Sequence, residues 1–242
     1  MTDLTLHFEP DGCALVPLIA LEAIGHSYRL EVEIPTGQLP RSVEAIVLQG
    51  CRTNPTLEVD GEAFSGNVAV LSWLTERFPM ARLLPRSDDI MVKARLLTDL
   101  AFCASTLEPL AARVSSLALF DSLDGARRAL QEARGALRPH LGQMDRRFAK
   151  NRWWYGDEWS IVDAYLHWVW LRVAAHEPAA SSHPHLVRHD AAMRQHHAVR
   201  RALAINRQIA QCLAHPQPSA HRAVPPPPHW PTPPANVGSR TV

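Results

Sequence analysis

The sequence predicts an α/β amino-terminal domain built on a four-stranded mixed sheet, followed by an all-α helical bundle and a proline-rich tail. Two observations carry the domains: short strand-like runs interleave with helical runs in the order β-α-β-α-β-β-α up to residue 79, and helical spacing takes over from residue 88. A third carries the tail, because the prolines clustered after His215 forbid both helix and sheet ladders. The expected divisions are 1–79, a linker at 80–87, the helical domain at 88–214, and a disordered tail at 215–242.

Leu4 to Phe8 alternates in character and stops at Glu9-Pro10-Asp11-Gly12, which reads as strand then turn. Ala14 to Ile24 is apolar at nearly every position and is followed by Gly25, the pattern of a buried helix with a glycine stop; Pro17 is tolerable in its first turn. Tyr28 to Ile34 alternates as a second strand, and Ser42 to Gln49 is a short helical candidate. Leu57 to Asp60 and Glu62 to Phe64 flank Asp60-Gly61, a dipeptide suited to a tight hairpin. Val68 to Phe78 returns to helical spacing and ends at Pro79. Beyond the linker, helices are expected over roughly Asp88 to Leu117, Leu123 to Phe148 and Ser160 to Ala175, with weaker ones between Pro184 and Cys212.

Composition narrows the function. The 25 Lys and Arg balance 24 Asp and Glu, so no basic excess points to nucleic acid or to an anionic membrane. Cys13, Cys51, Cys103 and Cys212 lie far apart with no C-x-x-C pair, which suggests neither a zinc ribbon nor a disulfide scaffold and fits a reducing compartment. The start MTDLTLHFEP lacks a basic leader and a long apolar segment, and the apolar stretch from Ala164 to Ala175 is too short to span a bilayer. A cytoplasmic protein is expected. No G-x-x-x-x-G-K, G-x-S-x-G or H-E-x-x-H motif is present. The histidines at 183, 185, 189, 196 and 197 lack a regular ligand pattern, so they read as scattered surface residues and no metal is expected. Trp153, Trp154, Trp168 and Trp170 are expected to pack in the core, with a hydrophobic substrate pocket the alternative for one of Trp168 and Trp170, and Arg127-Arg128 and Arg146-Arg147 to be solvated helix faces.

Cys13, in Pro10-Asp11-Gly12-Cys13-Ala14-Leu15, has two readings. At the mouth of a helix its thiol is near unpaired amides that favour the thiolate and lower its pKa. A free cysteine is also a common small core residue. Farther along, Gly156-Asp157-Glu158-Trp159-Ser160-Ile161-Val162-Asp163-Ala164-Tyr165 places Ser160 and Asp163 at capping-box spacing, a folding signal rather than a catalytic one.

Both stretches, with Asn54-Pro55-Thr56-Leu57 ahead of the hairpin, resemble the glutathione transferase family, nearest to its bacterial cysteine-type (beta) class. The resemblance covers about residues 4 to 212 and implies a thioredoxin-like first domain, a helical second domain, a cytoplasmic homodimer and a role in detoxification. It implies that Cys13 is the catalytic position contacting the glutathione sulfur, that Pro55 is cis, and that Asn54, Pro55, Gly66 and Asn67 contact glutathione. The implied partners are glutathione, as substrate, and a hydrophobic small-molecule electrophile.

The site departs from the family pattern. The family's acid for the γ-glutamyl end falls on Gly66, leaving Asn67 and the helix-start amides to receive a carboxylate. Its lysine and histidine fall, by ungapped matching, on Thr36 and Glu108. A carboxylate beside the thiol would raise the pKa of Cys13. The expected function is conjugation of glutathione to a small electrophile or glutathione-dependent thiol oxidoreduction through Cys13. The alternative is a non-catalytic binding or interaction protein on the same fold, which the loss of the γ-glutamyl acid favours.

Overall fold

A computed structural model describes residues 2–33, 55–119, 125–176 and 182–214. The helix expected over Ser42 to Gln49, Thr36, Asn54 with its bond to Pro55, and the tail lie outside the described residues.

The strands are β1 (Leu4–Phe8), β2 (Arg29–Val32), β3 (Thr56–Val59) and β4 (Glu62–Ser65), in the spatial order β2-β1-β3-β4. β1 runs parallel to β2, with Leu6 opposite Leu30, and antiparallel to β3, with Leu6 opposite Leu57. β3 and β4 form the expected hairpin, in which Asp60 (φ 51°) and Gly61 (φ 89°) both take the left-handed backbone that a two-residue turn of this hand requires. The sheet is thus mixed, and Leu4, Leu6, Phe8 and Leu57 point into the core from one of its faces.

Helix α1 (Leu15–Ile24) lies across that core and is buried almost all round, as a helix apolar on every face must be. Gly25 (φ 72°) closes it, its amide returning to the Leu21 carbonyl at 2.9 Å. α2 (Asn67–Arg77) follows the hairpin.

The second half is helical: α3 (Ile90–Phe102), α4 (Glu108–Leu119), α5 (Ala126–Lys150), α6 (Ile161–Val173), α7 (Pro184–Gln195) and α8 (His197–Ala214). α1 packs on α6 and α8 as well as on α2, so the first domain's central helix is also a wall of the second.

The single helix expected from Asp88 to Leu117 is in fact two, joined by a π-helical turn at Cys103–Leu107. Pro109 is the physical cause, since it has no amide to donate to Ser105. One residue earlier the Glu108 amide bonds instead to the Cys103 carbonyl, five residues back.

At the start of α6 the capping box forms as expected. Asp163 Oδ2 accepts the Ser160 amide at 2.8 Å, and Asp163 Oδ1 accepts the Trp154 amide at 2.8 Å. Trp153 and Trp154 are buried.

Two readings of the surface are corrected. His189 is buried, stacked on Phe148 at 4.0 Å between ring centroids, with Nε2 3.1 Å from Asp163 Oδ1; its helix α7 is amphipathic and turns it inward. Arg147 is not simply solvated: its guanidinium lies 4.0 Å from the centroid of the Trp154 ring and its Nε donates to the Trp154 carbonyl at 3.0 Å.

Candidate functional site

The site begins at the turn that leaves β1. The Gly12 amide donates to the Glu9 carbonyl at 3.1 Å, with Pro10 second in the turn and Asp11 third at φ 61°, the pattern of a type II turn. A Cβ on Gly12 would stand 3.0 Å from the Glu9 oxygen, a tight approach that favours glycine there.

The helical half pins the turn from two sides. Asn206 of α8 accepts the Asp11 amide and donates back to the Asp11 carboxylate, both at 2.8 Å. Trp168 of α6 donates its indole N–H to the Gly12 carbonyl at 2.9 Å.

Cys13 follows, two residues before the first helical residue and only 6% exposed. Glu108 is the carboxylate whose charge and hydrogen bonding act on the Cys13 thiol. Burial pushes the thiol pKa up, and the charge and hydrogen bond of Glu108 push it further; the nearby backbone amide opposes this only weakly. The expectation of a helix-depressed thiol is therefore reversed. A helix terminus contributes about 0.3–1 kcal/mol at an exposed position, whereas burial against a carboxylate can move a pKa by several units.

Glu108 is presented by the π turn and is met by two more donors. Asn67, the first residue of α2 and 3% exposed, donates Nδ2 to Glu108 Oε2 at 3.1 Å. Tyr165 of α6, fully buried, donates its hydroxyl to the same oxygen. Burial, then Glu108, hold that hydroxyl well above its ordinary pKa, so Tyr165 is a permanent donor.

Asn67 Nδ2 also lies 3.0 Å from Tyr165 Oη and 3.4 Å from the Cys13 carbonyl. Its neighbours on that side are all acceptors, which fixes the amide orientation and leaves buried Oδ1 without a partner among the described residues.

The structure thus brings Cys13, Asn67 and Glu108 together, with Gly66 next to Asn67. Gly66 has φ 99° and open space where a Cβ would lie, so a side chain there is strained by the backbone and not by crowding. Pro55 is buried, and its carbonyl accepts the Gly66 amide at 2.9 Å.

Sequence reasoning missed Tyr165 and Arg172, and offered Trp168 only as one of two tryptophans for a hydrophobic pocket. All three lie on one stripe of α6, at i, i+3 and i+7. Tyr165 reaches Glu108, Trp168 reaches the Gly12 carbonyl, and Arg172 Nη2 donates to Ser115 Oγ at 2.7 Å, with Asp11, Glu9 and Cys13 within its field. Polar tips recurring at this spacing along an otherwise apolar helix are the signal that could have found them.

Among the described residues no group of three or more metal-ligating side chains converges. A separate cleft of about 590 Å³ lies between α2, the segment after it and α3, lined in part by Ser72, Thr75, Arg82, Leu84, Lys93 and Leu97; it does not include Cys13.

A thioredoxin-like sheet domain whose cysteine turn is pinned by a helical domain is the architecture of the glutathione S-transferases. Residues 107–196 match the family model described as the glutathione S-transferase carboxyl-terminal domain. Three solved structures share the whole fold. The sphingomonad glutathione S-transferase, whose structure is a complex with glutathione, is 24% identical with a TM-score of 0.67, over 84% of this chain and 98% of that one. The beta class enzyme of Sphingomonas chungbukensis is 26% identical with a TM-score of 0.66, over the same shares of the two chains. A glutathione transferase from Methylococcus capsulatus strain Bath is 24% identical with a TM-score of 0.67, over 85% of this chain and 99% of that one. This protein therefore has the glutathione-transferase fold and is glutathione transferase-like, similar to the bacterial beta class.

Proposed function

We propose that this protein binds glutathione beside Cys13 and uses that site either to conjugate glutathione to a small hydrophobic electrophile or to exchange thiols and disulfides. The observation that supports this best is the position of Cys13: a thiol at the junction of the two halves, in contact with an acid, on a fold whose solved relative carries glutathione. In this reading Cys13 is the reacting or sulfur-contacting group, while Asn67, the α2 amides, Pro55 and Asn54 take the rest of the ligand. Cys13, Cys103 and Cys212 form no disulfide among the described residues, which suits a reducing, cytoplasmic setting. No helix among the described residues is long and apolar enough to cross a membrane.

The expected homodimer has support in α3, where Ile90 and Leu97 lie one heptad apart and are 74% and 50% exposed, with Met91 beside them. Pairing of two copies would cover this face; light scattering at micromolar concentration reads it directly.

A second reading, a binding scaffold without turnover, is favoured by the protonated, buried Cys13 and by glycine at position 66. Calorimetry with reduced glutathione, on wild type and on Cys13→Ala, tests the first reading. Saturable binding to wild type is expected, weakened in the variant. Absence of heat at millimolar glutathione would sink the glutathione site altogether, and binding without turnover of any electrophile would establish the scaffold.

A further inference from the structure

We infer that Glu108 is the proton acceptor for Cys13, so that the pair works as a thiol–carboxylate couple, with Asn67 and Tyr165 as positioning residues. The inference rests on the reading of Cys13 as a reacting thiol, and it specifies how such a thiol reacts here.

The geometry carries it. Asn67 Nδ2 lies 3.4 Å from the Cys13 carbonyl and 3.1 Å from Glu108 Oε2, which sets the carboxylate beside Cys13, and Glu108 is delivered there by a π turn that breaks a helix at Pro109. Asn67 and Tyr165, from two other helices, both spend donors on its Oε2. Three elements thus converge to hold one carboxylate oxygen in a defined orientation beside one thiol, more than packing alone requires.

A thiol in this setting has little access to the free thiolate, because burial and the adjoining carboxylate both disfavour that anion. Attack then proceeds with the proton leaving as the new bond forms, and Glu108 is the acceptor in contact. Among the described residues, the other ionisable groups acting on Cys13 are Glu9 from its own turn, Tyr165 from α6 and Arg172 from α6; Cys103, at the π turn, faces Glu108. Tyr165 is bound as a donor, and Arg172 carries no proton-accepting group.

The step balances with a disulfide as co-reactant. Cys13 Sγ attacks one sulfur of R–S–S–R′, its proton passes to Glu108, the new Sγ–S bond forms, and the old S–S bond breaks. The leaving thiolate then takes the proton back from Glu108. The products are a mixed disulfide at Cys13 and one free thiol, with the carboxylate restored.

The experiment measures Cys13 modification by a small uncharged aromatic disulfide, from pH 5 to 9, in a Cys51→Ser, Cys212→Ser background with the rate of the Cys13→Ala form subtracted. A proton acceptor and a merely repulsive charge predict opposite signs for Glu108→Gln. If Glu108 accepts the proton, the variant is about 100-fold slower at pH 7. If Glu108 only repels the thiolate, its removal makes Cys13 faster, and an equal or faster rate overturns the inference.

Tyr165→Phe keeps the test open should Glu108→Gln fail to fold. Loss of one donor frees the carboxylate to turn away from Cys13, so the thiol reacts about tenfold more slowly at pH 7. A carboxylate that only repels the thiolate would, once turned away, leave Cys13 faster, and an equal or faster rate in Tyr165→Phe also overturns the inference. No step of this measurement uses glutathione: failure of the glutathione site shows in calorimetry with the Glu108 effect intact, and failure of the inference shows here with glutathione still bound.

Discussion

Asp163→Ala probes the joint on which the site hangs, because α6 carries Tyr165 and Trp168 to the Cys13 turn and Asp163 fixes where α6 begins. The carboxylate is fully buried and accepts the amides of Ser160 and Trp154, each at 2.8 Å, and the Ser160 hydroxyl at 2.9 Å, with His189 Nε2 3.1 Å away. Alanine leaves two buried amides unpaired, at about 1–3 kcal/mol each. It also removes the cap, worth about 0.5–2 kcal/mol, which overlaps with the Ser160 term. The expected loss is about 3–5 kcal/mol, a large part of the roughly 5–15 kcal/mol typical of a folded domain. Urea unfolding followed by tryptophan fluorescence reads it, since Trp153 and Trp154 adjoin the joint. With a slope of about 2 kcal/mol per molar, the midpoint falls by about 1.5–2.5 M. Asp163→Asn, which keeps an oxygen but turns an N–H₂ toward a donor, should fall between. A loss below about 1 kcal/mol in Asp163→Ala would show that water or a shifted backbone replaces the carboxylate and that the joint does not depend on it.

Two further outcomes follow from the same contacts. Burial holds the His167 pKa below its ordinary value, and burial together with His197 lowers that of His196 to about 4. Both groups bind protons more readily unfolded than folded, so their contribution is complete above about pH 6.5 and is lost as the pH falls toward 4. Urea midpoints should therefore drop between pH 7 and pH 4.5, less steeply in His196→Gln; an unchanged slope in that variant would remove His196 from the account. Gly66→Glu forces a side chain onto a φ of 99°, at a cost of about 1–3 kcal/mol in stability, while the space around it is open. If glutathione binds as proposed, the new carboxylate tightens it roughly ten- to a hundredfold by calorimetry through one charge-assisted bond to the ammonium group; unchanged affinity would place the γ-glutamyl end elsewhere.

Much of the architecture was legible in local chemistry. An Asp-Gly turn has few alternatives to a tight hairpin, an all-apolar helix ending in glycine has to be buried, and Ser160 with Asp163 marks a helix start whatever surrounds it. Each is decided by residues within a few positions of one another, so periodicity and turn preference suffice. Glu108 was also expected near the thiol, but from the family resemblance and not from local chemistry.

What the tertiary structure decided is the state of the groups so placed. A helix mouth argues for a thiolate at Cys13, yet the thiol is held protonated, since burial and the Glu108 carboxylate outweigh a terminal dipole. Neither the burial nor the contact exists in any short segment. Asn67, Glu108 and Tyr165 come from three separate helices, so they meet only in the packed molecule. His189 became a buried partner of Asp163 because α7 packs on α5 and α6, and Arg147 a stacked neighbour of Trp154 within the helical half. Apolar pattern decides which elements form, while the proton affinity of a side chain depends on the dielectric and the charges around it, which are properties of the packed molecule.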